Sequence, residues 1–103
     1  MRNEMRVASI GAILLDEKDN VATALRPLRA GEPVRLRGGK EARIISIIPV
    51  EHIPTGHKVA LTDIRRGDCV IKYGEAIGEA SAFIPKGSYV HVHNLRGRGG
   101  LNR

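Results

Sequence analysis

A short pattern that occurs twice constrains this chain more than any other feature. Ala24-Leu25-Arg26-Pro27-Leu28-Arg29-Ala30-Gly31-Glu32-Pro33-Val34 aligns, at an offset of 36, with Ala60-Leu61-Thr62-Asp63-Ile64-Arg65-Arg66-Gly67-Asp68-Cys69-Val70. Both segments read Ala-Leu-x-x-(Leu/Ile)-Arg-x-Gly-(Glu/Asp)-x-Val. The second half of the pattern returns at Ile84-Pro85-Lys86-Gly87-Ser88-Tyr89-Val90. Its physical content is a short helical turn, a glycine that tolerates positive φ, and then the start of a strand at Val. A solenoid needs roughly three or more full stacked repeats. Two full copies in 103 residues predict instead a single domain with internal pseudo-two-fold symmetry.

The remaining segments fit a mostly β chain with short helical turns. Residues 7–15 are apolar and read as a buried strand, and residues 16–20 as a turn. Asp19 or Asn20 is placed to cap a brief helix over residues 21–28, which Pro27 ends. Its counterpart in the second copy is a helical turn over residues 58–64. Residues 43–49 form an Ile-rich strand that residues 50–54 extend toward Gly56. Residues 69–73, 76–80 and 89–93 are further strands, separated by Gly74, Gly78 and the turn Pro85-Lys86-Gly87. The domain is expected over residues 1–95, and residues 96–103, rich in Gly and Arg, as a basic tail.

Composition narrows the function classes. The aromatics are Phe83, Tyr73 and Tyr89, with no Trp, so the core must be built from Val, Ile, Leu and Ala. A net charge of +6 favours an anionic partner. Nucleic acid is not expected, because stacking aromatics and a reading motif are both missing. Cys69 is the single cysteine; it excludes a disulfide framework, suits a reducing, cytoplasmic setting, and reads as a buried structural thiol. Arg2 and Arg6 before an apolar run resemble a signal peptide, but Asp16-Glu17 follow at once without a small-residue cleavage site. No segment is long enough to span a membrane. Walker loops, dinucleotide fingerprints, Cys-x-x-Cys pairs and Gly-x-Ser-x-Gly elbows are absent.

Chemistry concentrates in residues 54–95, which hold three of the four histidines, His57, His91 and His93. His57-Lys58 follows Gly56, and Lys72-Tyr73 precedes Gly74, so both pairs sit at chain reversals, where sites tend to form. Lys58 and Lys72 can hold a carboxylate or stabilise developing enolate charge. His57 and His93 can take or give a proton. Read as a strand, His91-Val92-His93 turns both imidazoles to one face, where they can reach one metal. Two ligands are too few, so a third would come from His57, Asn94, a substrate or another chain. His52 reads as a surface residue, and Tyr89, Val90 and Val92 as strand formers.

Four segments, Asp19-Asn20-Val21-Ala22-Thr23-Ala24-Leu25, Ile53-Pro54-Thr55-Gly56-His57-Lys58-Val59-Ala60-Leu61, Ile71-Lys72-Tyr73-Gly74-Glu75-Ala76-Ile77-Gly78 and Val90-His91-Val92-His93-Asn94, closely resemble the small domain of the altronate/galactarate dehydratase family. That domain belongs to the SAF superfamily. The resemblance implies a compact β-clip fold and a hydro-lyase acting on sugar acids with a divalent metal, Fe2+ or Mn2+. It implies catalytic roles for His57, Lys58, Lys72 and His93. It also implies substrate contacts from Lys58, Lys72, Tyr73 and Asn94, and metal ligation by His91 and His93. A large dehydratase subunit is the implied partner, and an anionic sugar acid or hydroxy acid the implied substrate. The same small domain occurs in a sulfolactate sulfo-lyase, where sulfite leaves instead of water. A non-catalytic module that binds a sugar acid or steadies a larger chain is the rival from a different class; an ice- or glycan-binding domain is a third.

Overall fold

The glycine-closed unit recurs four times in the folded chain, once more than the sequence alignment found. A computed structural model describes residues 10–38 and 43–97. The chain forms β1 (Ile10–Leu14), β2 (Val21–Ala24), β3 (Val34–Gly38), β4 (Arg43–Ile47), β5 (Lys58–Ala60), β6 (Cys69–Lys72), β7 (Glu75–Ala80), β8 (Tyr89–Val90) and β9 (Leu95–Arg96). One sheet has the order β4-β3-β1-β2-β5-β8, and a smaller one β6-β7-β9. The mostly β expectation holds.

Each unit is a β-turn whose third residue is Gly. Glu32, His57, Asp68 and Ser88 donate their N–H to the carbonyls of Arg29, Pro54, Arg65 and Pro85. The glycines have φ of 83° at Gly31, 83° at Gly56, 90° at Gly67 and 89° at Gly87. A type II turn requires positive φ at this place, which is why Gly recurs there. Three residues before each Gly stands a fully buried aliphatic, Leu28, Ile53, Ile64 or Ile84, and three after it a fully buried Val, at 34, 59, 70 or 90. The unit missed in the sequence is Ile53-Pro54-Thr55-Gly56-His57-Lys58-Val59. It keeps the aliphatic-x-x-Gly-x-x-Val spacing but has no Arg and no acid beside its glycine.

Hydrogen bonds make the pseudo-two-fold relation explicit. Leu28 and Ile53 exchange both N–H···O bonds, at 2.9 and 3.0 Å, and Ile64 and Ile84 do the same at 2.8 Å each. Gly56 N–H donates to Ala24 and Gly87 N–H to Ala60; Gly31 N–H donates to Pro49 and Gly67 N–H to Ala80. Residues 24, 28 and 31 thus correspond to 60, 64 and 67, the offset of 36 read from the sequence. Each half has its own apolar core, one with Leu28, Val34, Ile53 and Val59, the other with Ile64, Val70, Ile84 and Val90. Burying each such side chain contributes about 1.5–3 kcal/mol.

The expected helical turns do not form; among the described residues there is no helix. Residues 21–24 and 58–60 are strands that pair antiparallel, with Val21 opposite Ala60, Ala22 opposite Val59 and Thr23 opposite Lys58. The reason is alternation. Ala22, Ala24 and Val59 enter the first core, while Val21 and Ala60 enter the second. A strand sends successive residues to opposite faces, so the β2–β5 pair forms the seam between the two cores. Asp19 and Asn20 cap nothing here; their side chains reach the hairpin of β6 and β7 instead.

Other expectations shift in detail. Residues 50–54 are bends and a bridge at Ile53, not an extension of β4. Cys69 is only half-buried. Arg96 is the second residue of β9, and its guanidinium meets the Glu79 carboxylate at 2.7 Å. Residues 98–103 of the expected tail, and 7–9 of the first expected strand, lie outside the described residues.

Candidate functional site

Three chain reversals deliver the chemistry to one place. The turn ending at Gly56 releases His57, whose carbonyl accepts from Ala24 N–H at 2.9 Å, and Lys58 then starts β5. The turn ending at Gly87 releases Tyr89, and β8 runs antiparallel beside β5. Then the chain turns again. Strand β8 stops at Val90, and residues 91–94 form a turn in which the His91 carbonyl accepts from Asn94 N–H at 3.0 Å and Leu95 N–H at 2.9 Å. The expected strand over residues 89–93 is therefore corrected. His91 and His93 do not share a strand face.

Buried Asn94 builds this turn with its side chain. Its Oδ1 accepts from His91 N–H at 2.9 Å, and its Nδ2 donates to the Tyr89 carbonyl at 2.9 Å. Both amide atoms are thereby engaged with backbone, and Asn94 shapes the reversal.

The rings gather around Tyr89. Its hydroxyl lies 2.9 Å from His57 Nδ1. Its ring stacks on His91 at 5.4 Å with 9° between the planes, and meets His93 at 5.6 Å and 58°. His57 and His91 make an edge contact at 5.0 Å and 71°. His57, His91 and His93 thus come together, as the sequence suggested, but through a tyrosine that it did not single out. The available signal was its place: Tyr89 stands two residues after Gly87, as Lys58 does after Gly56.

Lys72 arrives from the other sheet. It ends β6, and Tyr73-Gly74 form a two-residue hairpin loop with φ of 61° and 76°, the positive pair a type I′ turn needs. Buried Asp19 holds this loop, its carboxylate accepting from Tyr73 N–H at 2.9 Å and Gly74 N–H at 2.8 Å. Asn20 pairs with the adjacent bulge, accepting from Ile71 N–H at 2.8 Å and donating to the Cys69 carbonyl at 3.0 Å. The Tyr73 side chain is exposed at the hairpin tip.

Like charges meet here. Partial burial, and then the Lys72 ammonium, hold Lys58 below the ordinary lysine value of 10.5. Burial, and then the positive charges of His57, Lys58 and His93, hold His91 below the ordinary 6.5. Every charge shifting these two groups is positive, so the cluster is suited to an anion, whose arrival would relieve the repulsion. Thr23 pairs across the strands with Lys58, and among the described residues its buried hydroxyl has no hydrogen-bond partner. A cleft of about 360 Å3, lined by Pro33, Ser46, Ile47, Ile48 and Lys86, shares no residue with the cluster.

The cluster does not amount to a metal site. Among the described residues, no three His, Cys, Asp or Glu side chains are grouped to hold an ion. No described helix is long and apolar enough to cross a membrane.

Comparison with known proteins gives consistent relatives. The altronate/galactarate dehydratase SAF domain matches residues 10–98. Altronate dehydratase of Bacillus subtilis is 39% identical over 84 residues, covering 82% of this chain and 16% of that protein. Galactarate dehydratase (L-threo-forming) of Escherichia coli is 42% identical over 80 residues, covering 76% of this chain and 14% of that protein. The alpha subunit of (2R)-sulfolactate sulfo-lyase from Chromohalobacter salexigens is 32% identical over 89 residues, covering 85% of this chain and 95% of that subunit. The chain thus spans about one-sixth or less of the dehydratases it matches, and nearly the whole of the sulfo-lyase subunit.

Proposed function

Because this chain belongs to the altronate/galactarate dehydratase SAF-domain family, we propose that it is the small subunit of a two-component sugar-acid hydro-lyase. The reaction removes water from a 2,3-dihydroxy acid and yields a 2-keto acid. The observation that carries this reading is the convergence of His57, Lys58, Lys72, His91 and His93 from separate chain reversals into a cluster whose members repel one another.

The chemistry divides as follows. The Lys58 and Lys72 ammoniums hold the substrate carboxylate and stabilise the enolate charge that develops on it. A base takes the proton from the carbon next to the carboxylate. The electron pair of that C–H bond forms the C=C bond as the neighbouring C–O bond breaks. An acid protonates the departing hydroxide, so water leaves, and the enol becomes the 2-keto acid. His57 and His93 are the proton-moving groups of this chain, and Tyr73 lies at the rim beside Lys72. A ferrous or manganous ion is expected in such an enzyme. The described residues do not fit it by themselves, so this reading assigns it mainly to the large chain and routes no step through it.

A second reading rests on the 95% coverage of the sulfo-lyase alpha subunit. There the same carboxylate-holding groups would serve an elimination in which sulfite departs.

Turnover tests both. The purified chain is assayed with ferrous or manganous ion for 2-keto acid formation from altronate and galactarate, and for sulfite release from sulfolactate. No turnover is expected from the chain alone. With His93 and Tyr73 exposed, the cluster by itself cannot exclude water or read a polyol's hydroxyls. Turnover is expected with the large chain present and lost with His93→Ala while both chains still co-purify. Robust turnover by the chain alone would refute the two-component reading; an unaffected His93→Ala complex would leave a non-catalytic assembly module.

A further inference from the structure

Tyr89 is held at every polar atom it has. Its N–H donates to Glu51 Oε2 at 3.0 Å, its carbonyl accepts from Asn94 Nδ2 at 2.9 Å, and its hydroxyl meets His57 Nδ1 at 2.9 Å. Its half-buried ring packs on the first core, stacks on His91 and touches His93. No other residue of the cluster is in ring contact with all three histidines. A strand-forming role alone would require none of these side-chain contacts.

We propose that Tyr89 is the positioning residue of this cluster: its hydroxyl donates to His57 Nδ1 and fixes His57 as the Nε2–H tautomer, while its ring sets the orientation of His91 and His93. The direction of the hydrogen bond follows from acid–base strength. A neutral imidazole has one donor and one acceptor nitrogen. The unprotonated nitrogen is a far stronger base than a phenol oxygen, and the phenol O–H is the better donor. Among the described residues the phenol has no other hydrogen-bond partner. With Nδ1 occupied, the proton of neutral His57 resides on Nε2.

The consequence concerns how the cluster meets its ligand. His57 then presents a donor beside the ammoniums of Lys58 and Lys72, and this part of the surface offers donors to an oxyanion. In the lyase reading, on which this consequence rests, His57 holds a substrate oxygen or gives its proton to the departing group. The base that takes the carbon-bound proton lies elsewhere.

The test is a long-range proton–nitrogen NMR spectrum of the full chain carrying 15N-histidine, recorded above the ordinary imidazole titration range. Wild-type His57 should show a bare Nδ1 and a protonated Nε2. Tyr89→Phe keeps the ring and removes the hydroxyl. It should move the His57 tautomer ratio roughly tenfold toward Nδ1–H, the shift that one net hydrogen bond supports, with His91 and His93 in place. Tyr89→Leu should displace the ring signals of all three. His52, outside the cluster, reports in each variant that the fold persists. A His57 protonated at Nδ1 in the wild type, or a ratio unmoved in Tyr89→Phe, would overturn the tautomer assignment. Unmoved His91 and His93 signals in Tyr89→Leu would overturn the ring's role. The measurement needs neither substrate nor large chain, so its outcome is independent of the lyase reading.

Discussion

Asp19→Ala tests how the two sheets are tied together at the site. The carboxylate is 8% exposed and accepts the Tyr73 and Gly74 amides at 2.9 and 2.8 Å, across 54 and 55 residues of sequence. A hydrogen bond to a charged group contributes about 1.5–3 kcal/mol. The two bonds share one carboxylate whose own burial is costly, so their loss should destabilise the chain by about 2–4 kcal/mol. That is a large part of a typical stability of roughly 5–15 kcal/mol. For a domain of this size it should lower Tm by about 10–25 °C. An Asp19 that merely capped a short helix would cost only ~1 kcal/mol. Asp19→Asn keeps one carbonyl acceptor and should lose about half as much. Urea and thermal unfolding followed by far-UV circular dichroism give both values. A loss of about 1 kcal/mol or less in Asp19→Ala, or equal losses in the two variants, would refute the reasoning.

Gly67→Ala and Gly87→Ala should separate backbone strain from steric conflict. Both glycines have positive φ, but a Cβ at Gly67 meets nothing within 4 Å, whereas at Gly87 it lies 2.5 Å from the Ile48 carbonyl oxygen. Gly67→Ala should cost ~1–2 kcal/mol and Gly87→Ala at least ~1 kcal/mol more; equal urea midpoints would contradict this. Lys72→Gln removes the smaller of the two causes that lower Lys58, so the Lys58 pKa should rise while remaining below 10.5, read by carbon NMR of its ε-methylene. The same substitution should stabilise the partly exposed cluster by about 0.5 kcal/mol after solvent screening, measured in urea at low salt. His91 is held below 6.5 in the folded chain, so the unfolded chain binds its proton first on acidification. Its contribution to stability is complete above pH 6.5 and is lost as pH falls from there through the lower folded value. His91→Gln should flatten that part of the stability–pH curve; an unchanged slope would remove His91 as the cause.

What was legible in the residues was local. A glycine forced to positive φ, with an aliphatic three places before and a Val three places after, carries its meaning within seven residues, so the repeat and its offset could be read directly. The fourth copy escaped because it lacks the Arg before the glycine and the acid after it that the two full copies share, while the buried positions persist. The density of His and Lys in residues 54–95 also pointed to the region where the rings and ammoniums cluster. Residues 91–94 were less legible: Val92 between two histidines favours a strand locally, but the Asn94 side chain closes a turn and leaves Val92 80% exposed.

Sequence alone therefore determined the repeated glycine turns it could align, their aliphatic positions and the inventory of functional groups, because each depends on the conformational limits or polarity of neighbouring residues. Tertiary structure decided which groups meet. Val21–Ala24 becomes a strand, despite its helix-compatible residues, because its alternate side chains enter two different cores. Lys72 reaches Lys58 through a hairpin held by Asp19, and Tyr89 joins His57 across 32 residues. Such contacts depend on strand register between distant segments, and register is set by the burial of whole faces, which no short stretch of sequence contains.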